Sequence, residues 1–216
     1  MLAERSDRRL QADRAYTELV NRLTSLEIAP GSPIDEALLA DELAISRTSI
    51  REAMRRLAAD RLVTTYPKRG TFASTIGITD LSGICEVRSA LEGHAAQRAA
   101  ERYAVIDQAT LRRLRRDLAR DHYSVQPQQR LELYAQVHRF LYHATANPYM
   151  EETMSRYLNL SLRIWRHVTM RLPGHCTPLD DHDSVLAAIA GGHSARGRDL
   201  QIRHIATFEE VVRAAL

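Results

Sequence analysis

The 216-residue sequence predicts a mainly α-helical protein. A winged helix-turn-helix of three helices and a small β-hairpin is expected over residues 1–75, a linker over 76–80, and an all-α bundle of about six helices over 81–216. Three observations lead to this. Apolar residues recur at three- and four-residue intervals along most of the chain. The only strand-like stretch, residues 62–74, follows two short, closely spaced helical segments and holds a basic turn. Beyond residue 80 no strand pattern is found.

Leu10, Ala15, Leu19, Val20, Leu23 and Leu26 mark a first helix over 10–26, which Pro30-Gly31 stops. Asp35 caps a short second helix with Leu38, Leu39 and Leu43 inward, because its carboxylate accepts from backbone N–H groups of the first turn. Ala44-Ile45 form a tight turn, and Ser46 caps a third helix over 46–59. Ile50, Ala53, Met54 and Leu57 make its apolar stripe, and Arg47, Arg51 and Arg55 make another face. Residues 62–66 and 71–74 read as strands around the turn Pro67-Lys68-Arg69-Gly70. Helices then follow near 80–103, 107–121, 127–145, 148–171, 179–191 and 194–214. They are separated at Pro127, Asn147-Pro148, Pro173-Gly174 and Gly191-Gly192, and the short connections suggest an antiparallel bundle.

No apolar run reaches the roughly 18–20 residues needed to span a bilayer. The opening MLAERSDRRLQADR lacks the apolar middle of a secretory signal, so a cytoplasmic protein with no membrane partner is expected. Cys85 and Cys176 match no paired ligand spacing. The net charge of +3 is small, but its distribution is uneven. Residues 1–45 carry five Arg against nine acids, a net of −4. Residues 46–70 carry seven Arg and Lys against Glu52 and Asp60, a net of +5, so a polyanion is drawn to that segment alone.

A helix that reads DNA places its N-terminal side chains against base edges while its back packs on a partner helix. Arg47 is positioned to donate two parallel hydrogen bonds to guanine O6 and N7. Arg51, one turn on, reaches the next base or a phosphate; Ser46 and Thr48 hydroxyls suit phosphate oxygens. Lys68, Arg69 and Gly70 form the tip of the wing. A solvated basic face is the bland alternative for the Arg spacing alone. The compact preceding turn, the apolar reverse side and the basic hairpin favour DNA.

The run PGSPIDEALLADELAISRTSIREAMRRLAADRLVTTYPKRGTFAS, from Pro30 to Ser74, resembles the winged helix of the GntR family of bacterial regulators. The family's SRTxxREAxxxL pattern stands at Ser46 to Leu57, followed by a wing ending in Arg69-Gly70. The resemblance implies DNA contacts from Ser46, Arg47, Thr48, Arg51 and Arg69-Gly70. Ala37 departs from the pattern, since some relatives carry a phosphate-contacting Arg there.

The rest of the chain resembles the FCD-type effector domain that follows the winged helix in the FadR-like subfamily. The matches are Leu81 to Ala100 with Glu86, Arg88 and Leu91-Glu92; Val137-His138 with Asn147-Pro148; and Asp181-His182, Ile189, Gly192 and Arg203-His204. His138, His182 and His204 lie on three separate predicted helices, and three converging imidazoles suit Zn²⁺ or Ni²⁺. Nine scattered His would place some three on different helices by chance; the resemblance implies that these three are metal ligands. The fourth ligand usual in the family is an Asp one turn before the central His, and here that position is Tyr134. Arg88, Tyr134 and Arg163 are candidates to meet a small organic acid, Arg88 through its forked guanidinium. An internal pair with Glu92 is the alternative for Arg88, and a surface face near Trp165 is the alternative for Arg163 and Arg166.

The expected function is thus a homodimeric DNA-binding transcriptional regulator, more often a repressor in the resembled family. It would bind a palindromic operator and be released by a small carboxylate effector. A metal-dependent helical enzyme tethered to DNA and a non-sensing architectural DNA-binding protein are the competing readings. The enzyme lacks a convincing carboxylate base beside the three His, and no HExxH motif is present.

Overall fold

A computed structural model describes residues 2–121, 127–169 and 180–215. The chain divides into two units, Met1–Ile76 and Gly77–Leu216. Pro173-Gly174, His175 and Cys176 lie outside the described residues.

The first unit holds α1 (Leu2–Thr24), β1 (Pro33–Ile34), α2 (Glu36–Leu43), α3 (Arg47–Ala59), β2 (Val63–Tyr66) and β3 (Gly70–Ala73). The Asp35 carboxylate accepts from the backbone N–H groups of Ala37 (2.9 Å) and Leu38 (3.1 Å), which starts α2. Ala44, at φ 52°, ends it in the left-handed region, and Ser46 Oγ accepts from Ser49 N–H at 3.2 Å to start α3. Ile50, Ala53 and Leu57 of α3 are fully buried, as are Ala15, Leu19 and Leu23 of α1 and Leu62 after α3. Each large aliphatic side chain buried in this way contributes about 1.5–3 kcal/mol.

Three details of this unit differ from the sequence expectation. The first helix begins at Leu2 rather than residue 10, because Ala, Glu and Arg sustain a helix without an apolar stripe. Leu10 and Leu38 are exposed (65% and 55%). In the eight-residue α2 the inward positions are Leu39 and Ala40, and Leu38 lies about 100° round the helix from Leu39. The wing is also wider than a hairpin. β1 pairs antiparallel with β3 (Pro33↔Phe72, Ile34↔Thr71), giving the order β1-β3-β2. A two-residue strand that starts at a proline carries no alternation to read in advance.

The second unit comprises a 3₁₀ turn (Ile78–Asp80) and α4 (Leu81–Glu101), α5 (Gln108–Asp121), α6 (Pro127–Ala144), α7 (Pro148–Thr169), α8 (Asp180–Ala190) and α9 (Ser194–Ala214). Helix α4 packs against α6, α7, α8 and α9, so it is buried on several faces rather than along one stripe. Its contact with α9 is close. A Cβ on Gly93 would lie 2.8 Å from Ile202 Cγ1, and a Cβ on Gly197 would lie 3.5 Å from the Ala96 carbonyl oxygen. This seam of small residues brings the polar residues within two turns of it, Arg88 and Glu92 on α4 and Gln201 and His204 on α9, into one interior. Among the described residues no helix is long and apolar enough to cross a membrane.

Candidate nucleic-acid interface and candidate metal centre

In the first unit Arg47, Thr48 and Arg51 are exposed on the outer face of α3, while its apolar stripe is buried. Arg47 and Arg51 line an open cleft together with Asp35, Ala37, Gly70 and Thr71, so the start of α2, the exposed face of α3 and the turn end of the wing meet there. Glu36 also lines it. It stands 3.7 Å from Arg51 Nε and accepts from the Thr71 hydroxyl at 3.2 Å. Ser46 is occupied by capping: besides accepting from Ser49 N–H, its hydroxyl donates to Ser49 Oγ at 2.9 Å. Its role here is to fix the start of α3. Arg55 pairs with Glu52, and Arg56 turns back onto α1, pairing with Asp13 and lying 4.1 Å from the Tyr16 ring centre. In the wing the Arg69 N–H donates to the Tyr66 carbonyl at 3.1 Å, with Lys68 at φ 61°. Gly70, at φ 92°, holds a backbone that a side chain would strain. The Arg69 guanidinium lies 5.7 Å from the Tyr66 ring centre.

The second unit gathers a fully buried polar cluster. Helix α4 contributes Arg88 and Glu92; α6 contributes Tyr134, His138 and Tyr142; α8 contributes His182; α9 contributes Gln201 and His204. Glu92 is the hub. It accepts from Arg88 Nε (2.6 Å), Tyr142 OH (2.7 Å) and Gln201 Nε2 (2.8 Å), and its Oε2 lies 2.7 Å from His138 Nδ1. Burial alone would push this carboxyl up, but the Arg88 charge and the bonds from His138 and Arg88 hold it well below the usual carboxylate range. An ionised carboxylate only accepts, so His138 carries its proton on Nδ1 and leaves Nε2 bare. Arg88 Nη2, at 3.4 Å from the same Nδ1, is the weaker contact.

Three imidazoles converge beside this hub. His138, His182 and His204 each offer a ring nitrogen, and these nitrogens all lie within 4.8 Å of one another. His182 Nε2 is 3.2 Å from the bare His138 Nε2. Both ring nitrogens of the fully buried His204 have no hydrogen-bond partner among the described residues. An unpartnered buried polar atom costs about 1–3 kcal/mol, so a donor set of this kind fits a divalent cation. Burial first, then the neighbouring His182, His138 and Arg88, hold His204 well below its ordinary range, which keeps it in the neutral form that ligates. Tyr134 is different. Burial pushes its phenol up to about 12 against the opposing pull of Arg88, whose Nη2 donates to its oxygen at 3.1 Å. It is a neutral neighbour of the imidazoles.

Comparison with known proteins decides the family. The model for the bacterial regulatory proteins of the gntR family matches residues 11–73, and the model for the FCD domain matches residues 83–207. The chain belongs to the GntR family and carries an FCD domain.

A relative from Agrobacterium vitis, described as an HTH-type transcriptional regulator in the TAR-I ttuE-ttuC' intergenic region, is 40% identical over 86 residues, covering 40% of this chain and 50% of its own length. The transcriptional repressor RspR of Escherichia coli is 34% identical over 73 residues, covering 34% of this chain and 32% of its own. The chain thus spans half or less of the length of these curated relatives. The solved structure of E. coli McbR/YncC superposes with a TM-score of 0.77 at 18% identity, covering 94% of this chain and 97% of that one, a likeness of fold. The families matched are those of regulators rather than enzymes.

The expected GntR and FCD residues fall as follows. Arg47, Thr48 and Arg51 share one exposed helix face, with Lys68, Arg69 and Gly70 in the turn of the wing. His138, His182 and His204 come together with Arg88 and Tyr134. Arg88 is paired with Glu92, which was its alternative reading. Arg163 is buried on α7 rather than on a surface face, and burial lowers its guanidinium to about 10. Sequence reasoning missed Tyr142, Gln201, Glu36 and the central place of Glu92. A signal existed for two of them: Tyr142 lies one turn beyond His138, and Gln201 one turn before His204.

Proposed function

We propose that the chain is a sequence-specific DNA-binding transcriptional regulator, most simply a repressor, whose DNA affinity is set by a small organic acid held at a metal in the helical unit. The observation that carries the DNA reading is the pairing of a buried apolar stripe with exposed Arg47 and Arg51 on one capped helix, beside a basic wing. Arg47 would read a guanine and Arg51 a base or phosphate; Thr48, Lys68, Arg69 and Gly70 would contact the backbone, with Ser46 fixing the start of the helix. A homodimer would present two such heads to a palindromic operator, in the cytoplasm and on the nucleoid.

The observation that carries the sensor reading is the unpartnered His204 between two other buried imidazoles. His138, His182 and His204 would hold Zn²⁺ or Ni²⁺, which supplies a Lewis-acidic site for a carboxylate. Arg88 Nη1, without a partner among the described residues, would be a spare donor for the acid, with Tyr134 beside the same guanidinium. Arg163 is the third side chain assigned to the effector. An effector changes DNA affinity only through different affinity for two states of the protein, so operator occupancy and acid binding must be reciprocal.

The test begins with genomic footprinting to find the operator. Fluorescence anisotropy then measures binding to that duplex and to an unrelated one, with and without Zn²⁺, a chelator and a panel of organic acids. A preference of at least about 10³ for the footprinted duplex, weakened by one class of acid, is expected. Equal affinity for both duplexes would favour the architectural reading, and loss of the acid response in chelator would assign it to the metal.

A further inference from the structure

The N-terminal end of α3 is fastened to α1. The Ser49 hydroxyl donates to the Arg8 carbonyl and the Ser46 backbone N–H donates to Gln11 Oε1, each at about 3.4 Å. These bonds set the early turns of α1 beside the turn of α3 that carries Arg47 and Thr48. An open cleft of about 550 Å³ lies there, lined by Arg8, Arg9, Asp13, Thr48, Glu52 and Arg56. It is not the cleft of Arg47 and Arg51, which is shared with α2 and the wing. Helix α3 therefore has two polar flanks.

The arginines of the α1 flank fall into two groups. Arg56 pairs with Asp13 and lies over Tyr16, Arg14 donates to the Leu43 carbonyl, and Arg22 is held by Glu18 and Glu42. Glu52 is engaged by Arg55. Arg8 and Arg9 are exposed and make no ion pair with any described residue. On the opposite flank the start of α2 offers Asp35, Glu36 and Ala37 and no cation. Apart from the wing, uncompensated positive charge beside the recognition helix thus sits on α1.

We infer that Arg8 and Arg9 are DNA phosphate contacts, clamping the backbone on the α1 side of the bases read from α3. The inference rests on the DNA-binding reading. Two guanidiniums on successive residues of a helix, next to a groove-reading helix, can each neutralise a phosphate, and each neutralised phosphate releases condensed counterions. They add affinity and no base preference.

The full-length chain carrying Arg8→Gln and Arg9→Gln together is titrated with the footprinted and the unrelated duplex over a range of NaCl. The slope of log K against log [salt] is expected to fall in magnitude by about 3.6 for the dimer on a two-half-site duplex, at roughly 0.9 for each of its four phosphate contacts, with the preference between duplexes unchanged. The Arg8→Lys, Arg9→Lys variant keeps the charges and is expected to keep the wild-type slope. An unchanged slope in the Gln variant overturns the inference, as does a lost preference between duplexes or a slope lost equally in the Lys variant. Wild-type protein that binds neither duplex removes the DNA-binding reading itself, which is a separate outcome.

Discussion

Glu92 Oε2 and His138 Nδ1 lie 2.7 Å apart, both fully buried, and this contact fixes which nitrogen of His138 faces the other imidazoles. A carboxylate behind a ligating His fixes its tautomer and raises its basicity. Glu92→Gln is therefore expected to weaken Zn²⁺ binding about 10–100-fold, read by competition with a chromophoric chelator. An unchanged dissociation constant would mean that Glu92 serves only to neutralise Arg88.

Metal should hold the helical unit together measurably. At a free Zn²⁺ concentration of 100 times its Kd the folded state gains about 2.7 kcal/mol, visible as a rise in the unfolding midpoint that EDTA reverses. His182→Ala should abolish that rise. A variant that still responds to Zn²⁺ would move the site away from these three His.

The metal-free protein should weaken in mild acid. His204 has its pKa held well below the ordinary 6.5, by burial first and neighbouring charge second, so the unfolded chain binds a proton there that the folded chain does not. Stability is then fully present above 6.5 and is lost as pH falls through it, continuing down towards the folded value. Glu92, also depressed, adds a second loss as pH falls below 4.5. Urea midpoints measured in EDTA from pH 8 to 5 should decline, and His204→Phe should flatten the decline that begins near 6.5. A wild-type midpoint constant over that range would contradict the buried neutral imidazole.

Arg47→Ala should cost about 1–3 kcal/mol of operator binding and relax base preference at one position of each half-site, measured by anisotropy on single-substitution duplexes. An equal loss on every duplex would make Arg47 a phosphate contact. Because its side chain is exposed, the melting curve should not move.

Most helix boundaries were legible within two or three residues, because caps, prolines and three-to-four-residue periodicity are local. Asp35, Ser46 and Pro148 start their helices through their own backbone and side-chain chemistry. The exposed face of α3 was legible for the same reason: Arg47 and Arg51 are one turn apart, and the stripe Ile50, Ala53, Met54 and Leu57 decides which side faces out. Strand β1 was not, since Pro33 and Ile34 are recognisable as a strand only against Phe72 and Thr71 of β3. The orientation of Leu38 was missed because in eight residues one misassigned position turns the apolar stripe by a quarter of the helix.

The sequence by itself determined the helices, the cap and exposed basic face of α3 and the residues available for a buried site, since each depends on neighbours within about two turns. Only the tertiary structure decided what those residues do to one another. Glu92, an ordinary i+4 partner of Arg88 in the sequence, became the anion shared by Arg88, His138, Tyr142 and Gln201 because α4, α6 and α9 meet there. The physical reason is that burial makes every contact in that cluster strong and every unmet one costly, and burial is a property of packed helices rather than of any one segment.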